Sequence, residues 1–418
     1  MSDRFASLQQ RDFRTLWLGG VFSFMGVQMQ FFLRGILAWD LTGRKDALGL
    51  VYFVFGVALL ISTPLGGVAT DRLPKRGVIL ASQSILVASA ALMGVAVLTG
   101  RVEFWMLLGA GIAQGTAFGF FGPARVAMAT DLVGRASLGN AISLQSLAMN
   151  GSRVFAPSFA GALAGWAAFG IGGAYIVAAV LSGLSLLSTI ALPNPPAALT
   201  GRARPFADIA DGIRYVQSVP AIRRIVLTAF AVLMFAFSYV SFVPALIEGE
   251  FGLTETEVGI FTSASSVGAL VAGIWVAGLA DSPRAQNIMT AAGMFFGIMV
   301  IALGAAPLFG MALVIAVLAG AGTTTFQTLS NTLALQMADS DFQGRVQSIM
   351  QLGFAGFGMT ALPLGVLAEW IGLRPTLVIM GVVAVASVAG YGVVSRAEEQ
   401  PGSAQSDGLR PAPALVRR

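Results

Sequence analysis

The chain has 418 residues, of which 56% are hydrophobic and only 11% are charged, and it carries a net charge of +5 at pH 7. Soluble proteins have about 25% charged residues, so this chain cannot cover an ordinary water-facing surface, and much of its area must face lipid. Cys and His are both absent, which excludes disulfides, thiolate chemistry and imidazole sites. We therefore expect no metal site and no cofactor.

Charge-free runs predict twelve membrane-spanning helices, because a helix that crosses the bilayer needs about 20 apolar residues. The first six spans come from runs at 15–33, 47–70, 77–100 and 104–124, and from a double-length run at 136–201. Arg153 is the one charged residue within this last run. The last six come from 225–247, 258–280, the double-length run 285–338, 346–368 and 375–395. The predicted fold class is an all-α membrane protein with two six-helix bundles.

The distribution of Lys and Arg predicts that both termini are cytoplasmic. With the N-terminus inside, 18 of the 25 basic residues fall on cytoplasmic segments and 4 fall on outer loops, which agrees with the positive-inside rule. Because the arginines are scattered through loops, we interpret the positive charge as membrane orientation rather than nucleic-acid binding. The predicted location is the bacterial inner membrane.

Four regions follow from these spans. We predict an N-terminal bundle at 1–192, a cytoplasmic linker at 193–220, a C-terminal bundle at 221–396 and a disordered polar tail at 397–418. Within the linker, apolar residues recur at helical spacing between Phe206 and Val216, which predicts a short amphipathic helix on the cytoplasmic face.

The two halves contain similar segments in equivalent spans, which indicates an internal repeat. The second and eighth spans both end with small residues, an Asp and then a basic residue. The fifth and eleventh spans each hold a mid-helix proline, Pro157 and Pro363, closely followed by glycine. We predict hinge or packing roles for Pro157, Gly161 and Pro363.

The segment GGVATDRLPKR at 66–76 places charges of both signs between the second and third spans. Its glycines would let a neighbouring helix approach closely, and Asp71 would face the positive N-terminal end of another helix. An ionic contact of this kind between the halves would act as a gate; the alternative is ordinary positive-inside residues beside a helix-ending Asp. Asp131 could also pair with Arg125 or Arg135. The candidate gating residues are Gly67, Asp71, Arg72, Arg76, Arg125 and Asp131.

This segment resembles the G-x-x-x-D-R-x-x-x-R loop of the major facilitator superfamily, and the resemblance extends from about Phe13 to Arg396. The segments WDLTG at 39–43, FGPAR at 121–125, DLVGRASLGNA at 131–141 and SRVFAPSFAG at 152–161 are similar to the branch of enterobactin exporters and macrolide-efflux proteins. The resemblance implies alternating access and proton antiport. The fifth span keeps only part of the antiporter glycine pattern, and the second-half loop, Asp281 to Arg284, is degraded.

Polar residues inside the spans are candidates for a substrate cavity. A charge at a helix centre costs at least ~2.5 kcal/mol, so Arg34 and Arg153 are candidates to hold an anionic or carbonyl-rich substrate. The alternative is that each pairs with a helix carbonyl or reaches the interface. The candidate cavity residues are Gln30, Arg34, Asn150, Arg153, Tyr239, Gln327 and Asn331.

The function that fits these features is proton-coupled efflux of a mainly apolar organic compound, such as a drug or a siderophore-like molecule, by a monomer in the lipid bilayer. Proton coupling normally requires a carboxylate whose pKa can rise toward neutrality. The candidates lie near helix ends: Asp40, Asp131, Glu248 and Glu369. A proton-coupled importer of the same fold is the alternative. A membrane enzyme or a receptor fits less well, because we find no catalytic constellation, no P-loop and no loop long enough for a soluble domain.

Overall fold

The structure is a computed structural model that describes residues 7–134, 138–193, 205–276, 279, 282–339 and 342–399. Within these ranges the regular structure is helical. The first half of the chain forms six helices: α1 (Arg11–Thr42), α2 (Lys45–Arg72), α3 (Lys75–Leu98), α4 (Phe104–Val133), α5 (Leu138–Ala164) and α6 (Gly170–Ile190).

The linker contains α7 (Pro205–Ser218), at the position of the predicted amphipathic helix. The second half follows it. The next helix changes its winding along its length: it is an α-helix over α8 (Pro220–Ala231), a π-helix over Val232–Ala236, a 3₁₀-helix over Phe237–Phe242 and a π-helix again over Ala245–Glu250. We call this whole element, 220–250, the seventh helix. The remaining helices are α9 (Glu255–Val276), α10 (Ala285–Ala305), α11 (Phe309–Gln336), α12 (Gln343–Ile371) and α13 (Leu373–Glu399).

Ten helices within the described ranges are long and apolar enough to cross a membrane. They are α1 to α4, α6, the seventh helix through Phe242, α9, α10, α11 and α13. The other two predicted spans correspond to α5 and α12, which are helices of 27 and 29 residues. The prediction of twelve spans remains a prediction for those two helices.

The two halves use equivalent helix pairings. In the first half α2 packs on α4, and α3 packs on α6. In the second half the helices at the same positions pack in the same way, α9 on α11 and α10 on α13. This agreement supports the internal repeat that the sequence similarities predict.

Glycines bring the paired helices into backbone contact. A Cβ atom at Gly66 on α2 would overlap the carbonyl oxygen of Gly119 on α4. In the second half, a Cβ at Gly320 on α11 would overlap the carbonyl oxygen of Ser265 on α9. Such close approach maximises van der Waals contact where lipid provides no hydrophobic drive for helix association.

Two helix pairs connect one half to the other, α2 with α12 and α5 with α9. We call the end of the bundle where α1 ends and α2 begins the far side, and the opposite end, where α1 begins, the terminal side. The α2–α12 contact includes Gly56 against Gly358, and the α5–α9 contact includes Gly161 against Gly259. All four glycines lie in the far-side halves of their helices, so these two helix pairs hold the halves together at the far side.

The linker helix α7 is fixed against the beginning of α12. The rings of Tyr215 and Phe342 are stacked with centroids 4.1 Å apart, and the backbone N–H of Asp339 donates to the Tyr215 hydroxyl over 2.9 Å. A Cβ at Gly212 would lie 3.1 Å from the Arg345 side chain. The linker helix is therefore attached to the second half at the terminal side.

Candidate transport site and gates

A carboxylate joins the two halves at the far side. The backbone N–H of Lys45, the first residue of α2, donates to Oε1 of Glu369 near the end of α12, over 2.5 Å. Glu369 is therefore placed at the positive end of the α2 dipole. Beside this contact, the Trp39 ring of α1 packs directly on Gly249 of the seventh helix, where a Cβ would lie 2.6 Å from the ring.

A second carboxyl contact between the halves lies next to Trp39. The Glu248 side chain shares a hydrogen bond with the Asp40 side chain, which requires a proton on one of the two groups. Burial, followed by repulsion from Asp40 and Glu255, raises the pKa of Glu248 to about 8. Because Glu248 lies beyond the apolar span that ends at Phe242, it can exchange its proton near neutral pH. Among the sequence-predicted carboxylates, Asp40, Glu248 and Glu369 therefore take part in contacts between the halves.

The loop between α2 and α3 is held by the first half itself. Lys75 forms an ion pair of 2.5 Å with Asp131 at the end of α4, and Arg76 donates to the carbonyl oxygen of Ile190 at the end of α6. Asp131 thus pairs with Lys75 rather than with Arg125, whereas Arg135 lies outside the described residues. Arg72 is exposed, and nothing is described of the Asp71 side chain.

Arg125 is buried inside the first half, with 2% of its surface exposed. Its Nη2 donates to the Leu16 carbonyl oxygen over 3.0 Å, and its Nε donates to Oε1 of Gln145 over 3.2 Å. The rings of Phe24 and Phe121 flank the guanidinium, with centroids at 5.2 and 5.6 Å. The structure therefore places this candidate gating residue on partners within its own bundle. Of the glycines in the loop motif, Gly66 makes the close helix contact, and a Cβ at Gly67 would meet nothing within 4 Å.

Arg34 is equally buried but differs in its partners. Its side chain lies among helices of the first half, and Nη1 is 3.6 Å from where a Cβ on Gly111 of α4 would be. The rings of Phe31 and Phe55 lie 5.6 and 5.5 Å from the guanidinium carbon. Its Nε and Nη2 atoms are buried without a hydrogen-bond partner among the described atoms.

Among the other candidate cavity residues of the first half, Gln30 has a described partner on α3 instead of Arg34. The Gln30 side chain is buried and its Nε2 points to the Leu86 carbonyl oxygen of α3 at 3.5 Å. Arg153 is half-buried on α5. Asn150 also lies on α5, and nothing is described of its side chain.

The candidates of the second half are Tyr239 on the seventh helix and Gln327 and Asn331 on α11. Tyr239 is 3% exposed, its hydroxyl lies 3.5 Å from the Ser265 hydroxyl, and its ring packs edge-on against Phe296. This position inside the second bundle favours packing over substrate contact. Gln327 and Asn331 lie one turn apart on α11 and are both half-buried.

An aromatic cluster between the halves was not predicted from the sequence. Phe31 and Tyr52 of the first half contact Phe357 of α12, with ring centroids 6.1 and 6.0 Å apart, and Phe237 of the seventh helix contacts the same ring at 5.5 Å. A usable signal was the spacing of Gly49 and Gly56, and likewise of Gly358 and Gly365. Seven residues are about two helical turns, so each pair lies on one face and marks a close helix contact.

The predicted hinge residues lie on the helices that join the halves. Pro157 is inside α5 and Pro363 is inside α12. Gly161 faces the other half, and a Cβ at this position would lie 2.5 Å from the Gly259 Cα atom. Their hinge role remains a prediction.

Comparison with known families gives a match along nearly the whole chain. A family model described as Major Facilitator Superfamily matches residues 16–352 and 225–418. The enterobactin exporter EntS of Salmonella choleraesuis (strain SC-B67) is 27% identical over 353 residues, which are 83% of this chain and 81% of that protein. EntS of Salmonella typhi is 26% identical over 349 residues, with the same coverage of 83% and 81%.

Solved structures with the same fold cover almost the entire chain. A bacterial homolog of the human lysosomal transporter Spinster, in an inward-facing and unoccupied conformation, has a TM-score of 0.74 at 16% identity and covers 97% of this chain and 100% of that chain. The nucleoside transporter NupG has a TM-score of 0.72 at 12% identity, with coverage of 92% and 99%. At these identities the likeness concerns the fold alone.

Proposed function

The chain belongs to the Major Facilitator Superfamily, and we propose that it is a secondary active transporter that exports a mainly apolar organic compound, of the drug or siderophore-like kind, in exchange for protons. The observation that carries the proposal is the pair of symmetric contacts between the halves, α2 with α12 and α5 with α9. Two similar bundles joined this way can rock about a site between them.

Far-side closure is one of the two states that alternating access needs. With both termini in the cytoplasm, the far side is the outer face, and a structure joined there is open inward. The contacts of Lys45 with Glu369 and of Asp40 with Glu248 would then form the outer gate. The opposite state would close the terminal side, where Asp71 at the end of α2 meets the beginning of α12.

The α2–α3 loop suits a gate because it moves with one half. Lys75 and Arg76 attach it to the ends of α4 and α6, so its position is coupled to rotation of the whole first bundle. Asp71 is then carried toward or away from α12 as a rigid part. Arg125 supports the same bundle end by fixing α4 to α1 through Leu16.

Proton coupling is supported by the Glu248 carboxyl. A proton would be held between Glu248 and Asp40 when the far side is closed, and separation of the halves would expose both groups to water, where they would ionise. Each cycle would therefore release and rebind a proton at the far side. In this proposal the coupling groups lie at helix ends, since no carboxylate lies within the apolar runs of the sequence.

The similarity to the enterobactin exporters EntS favours export over import. A proton-coupled importer of a small organic solute is the second candidate, because the same carboxyl pair would serve a symporter. A receptor or a membrane enzyme is the least supported alternative. We further propose twelve spans, a monomer as the transporting unit and a location in the bacterial inner membrane.

Inverted membrane vesicles test the direction. Vesicles with an acidic interior, prepared from cells with and without the protein, would be given a panel of radiolabelled toxic organic compounds. An exporter accumulates its substrate inside these vesicles, and an uncoupler abolishes the accumulation. Uptake that occurs only in right-side-out vesicles would reject export in favour of the importer.

A further inference from the structure

Arg34 is a buried cation with two guanidinium nitrogens that lack a hydrogen-bond partner within the described part of the chain. Only 2% of its surface is exposed, and its Nε and Nη2 atoms have no hydrogen-bond partner among the described atoms. Arg125, buried to the same degree, donates from both of these atoms to protein oxygens. An uncompensated buried charge is strongly destabilising, so the persistence of Arg34 in this state needs an explanation.

The apolar helix segments around Arg34 contain no acidic side chain. The segments 13–39, 47–70, 72–102 and 104–130 contain no Asp or Glu. The nearest carboxyl along the chain, Asp40, lies at the end of α1 and shares a hydrogen bond with Glu248. The negative charge that would satisfy Arg34 must therefore come from outside the first bundle.

The surroundings of Arg34 leave its donors available. Phe31 and Phe55 present their rings at 5.6 and 5.5 Å, and Tyr52 and Tyr175 are close enough to interact electrostatically. Aromatic faces attract a guanidinium, but they are much weaker acceptors of its N–H groups than oxygen atoms are. A planar guanidinium binds a carboxylate through two parallel hydrogen bonds, and Nε with one Nη provides that pair.

The wall that covers Arg34 depends on contact between the halves. Phe31 and Tyr52 are held by Phe357 of α12, which in turn contacts Phe237 of the seventh helix. Phe31 therefore lies between the Arg34 guanidinium and the second half.

We propose that Arg34 binds an anionic oxygen group, a carboxylate or a phenolate, of the transported compound, and that the rings of Phe31 and Tyr52 line the approach to it. This inference rests on the proposed transport function. It narrows the substrate class to compounds that combine an apolar, ring-containing body with at least one acidic group.

Binding to the purified full-length protein in detergent tests the proposal, with 1-naphthoate as the anionic probe and 1-naphthylmethylamine as its cationic counterpart. We expect 1-naphthoate, and not the amine, to raise the thermal unfolding midpoint of the wild type. Arg34→Gln should weaken 1-naphthoate binding at least tenfold. Arg34→Lys should weaken it to an intermediate degree, because lysine keeps the charge but lacks the planar pair of N–H donors. Arg101→Gln, an exposed arginine of the α3–α4 loop, is the matched control and should bind like the wild type.

Three results would overturn the proposal: no binding of 1-naphthoate by the wild type, equal binding by Arg34→Gln, or the same stabilisation by chloride alone. Stability without ligand gives an independent readout that does not depend on the Gln variant. Arg34→Met should unfold at or above the wild-type midpoint because it removes an unpaired charge, whereas Arg125→Met should unfold at a lower temperature. An equal fall in the unfolding midpoint of both variants would indicate that Arg34 stabilises the fold as Arg125 does, and would contradict the proposal. Binding that follows these expectations without uptake into inverted vesicles would reject export and leave the anion site in place.

Discussion

Glu369 at the end of α12 accepts a hydrogen bond from the first backbone N–H of α2, at Lys45, across the boundary between the two halves. The two helices run antiparallel, so the end of α2, where Asp71 lies, is on the same side of the bundle as the beginning of α12. Each helix thus carries a carboxylate at its C-terminal end that can face the positive N-terminal end of the other. The far-side member of this pair is formed in the structure.

Glu369→Gln should weaken far-side closure. A carboxylate at a helix N-terminus contributes about 0.3–1 kcal/mol, so we expect the ratio of closed to open far side to fall about two- to fivefold. Because the chain has no cysteine, spin labels at Arg101→Cys and Leu308→Cys, both exposed at the far side, report this ratio by double electron–electron resonance.

Glu250→Gln is the matched control for that experiment. Glu250 pairs with Arg374 over 3.1 Å within the second half, so its removal does not touch the boundary between the halves. The label distances should stay at their wild-type values. An equal shift in both variants would indicate a general change in the second bundle instead of a lost contact between the halves.

Asp71→Asn should reduce transport at least tenfold while expression stays near normal. Neutralising Asp71 removes the charge that would face the beginning of α12 when the terminal side closes. Transport into inverted vesicles measures the effect, and Asp71→Glu should recover part of the activity. Wild-type rates in Asp71→Asn would reject a gating role for this residue.

Far-side closure should depend on pH through Glu248. Its pKa is raised to about 8 in the closed structure, so the closed state holds the proton more tightly than the open state. The stabilisation is therefore fully present below about pH 4.5, the ordinary pKa of Glu, and is lost as pH rises from there to about 8, because the open state ionises while the closed state keeps its proton. Label distances between pH 4.5 and 8 should show far-side opening in the wild type and no such transition in Glu248→Gln. A wild-type distribution that does not change over this range contradicts the prediction.

The neighbouring glycines of the loop motif should respond differently to alanine. Gly66→Ala places a methyl group against the Gly119 carbonyl oxygen, and overpacking of this kind costs about 1–3 kcal/mol of unfolding free energy. Gly67→Ala meets nothing within 4 Å and should be neutral. Thermal unfolding in detergent separates the two variants, and equal midpoints would show that the α2–α4 contact is looser than described.

Gly161→Ala should change the conformational balance more than the stability of either half, because Gly161 contacts Gly259 across the boundary. A methyl group there opposes far-side closure, so the same spin-label pair should shift toward longer distances. Gly151→Ala on the same helix, where a Cβ meets nothing within 4 Å, should leave the distances unchanged.

The helices could be predicted from the sequence because lipid tolerates neither charge nor unpaired backbone over about 20 residues. The partners of buried groups could not be predicted in the same way. Arg125 binds the Leu16 carbonyl oxygen, 109 residues away, and every residue has a carbonyl, so no side-chain pattern marks this partner. Tyr239 has the residue type of a cavity lining, but the face it occupies depends on the change to 3₁₀ winding around it. The contacts between the halves depend on the conformation adopted, which the sequence does not specify.

The uneven winding of the seventh helix gives it a mechanical property that a regular helix lacks. A π turn accommodates an additional residue, and a register change of one residue rotates everything beyond it by about 100° and advances it by about 1.5 Å. Conversion of the segment Val232–Ala236 to α winding would therefore swing Phe237 and Glu248 together. The aromatic contact and the acidic contact would be released by a single twist, without a proline or glycine joint in that segment.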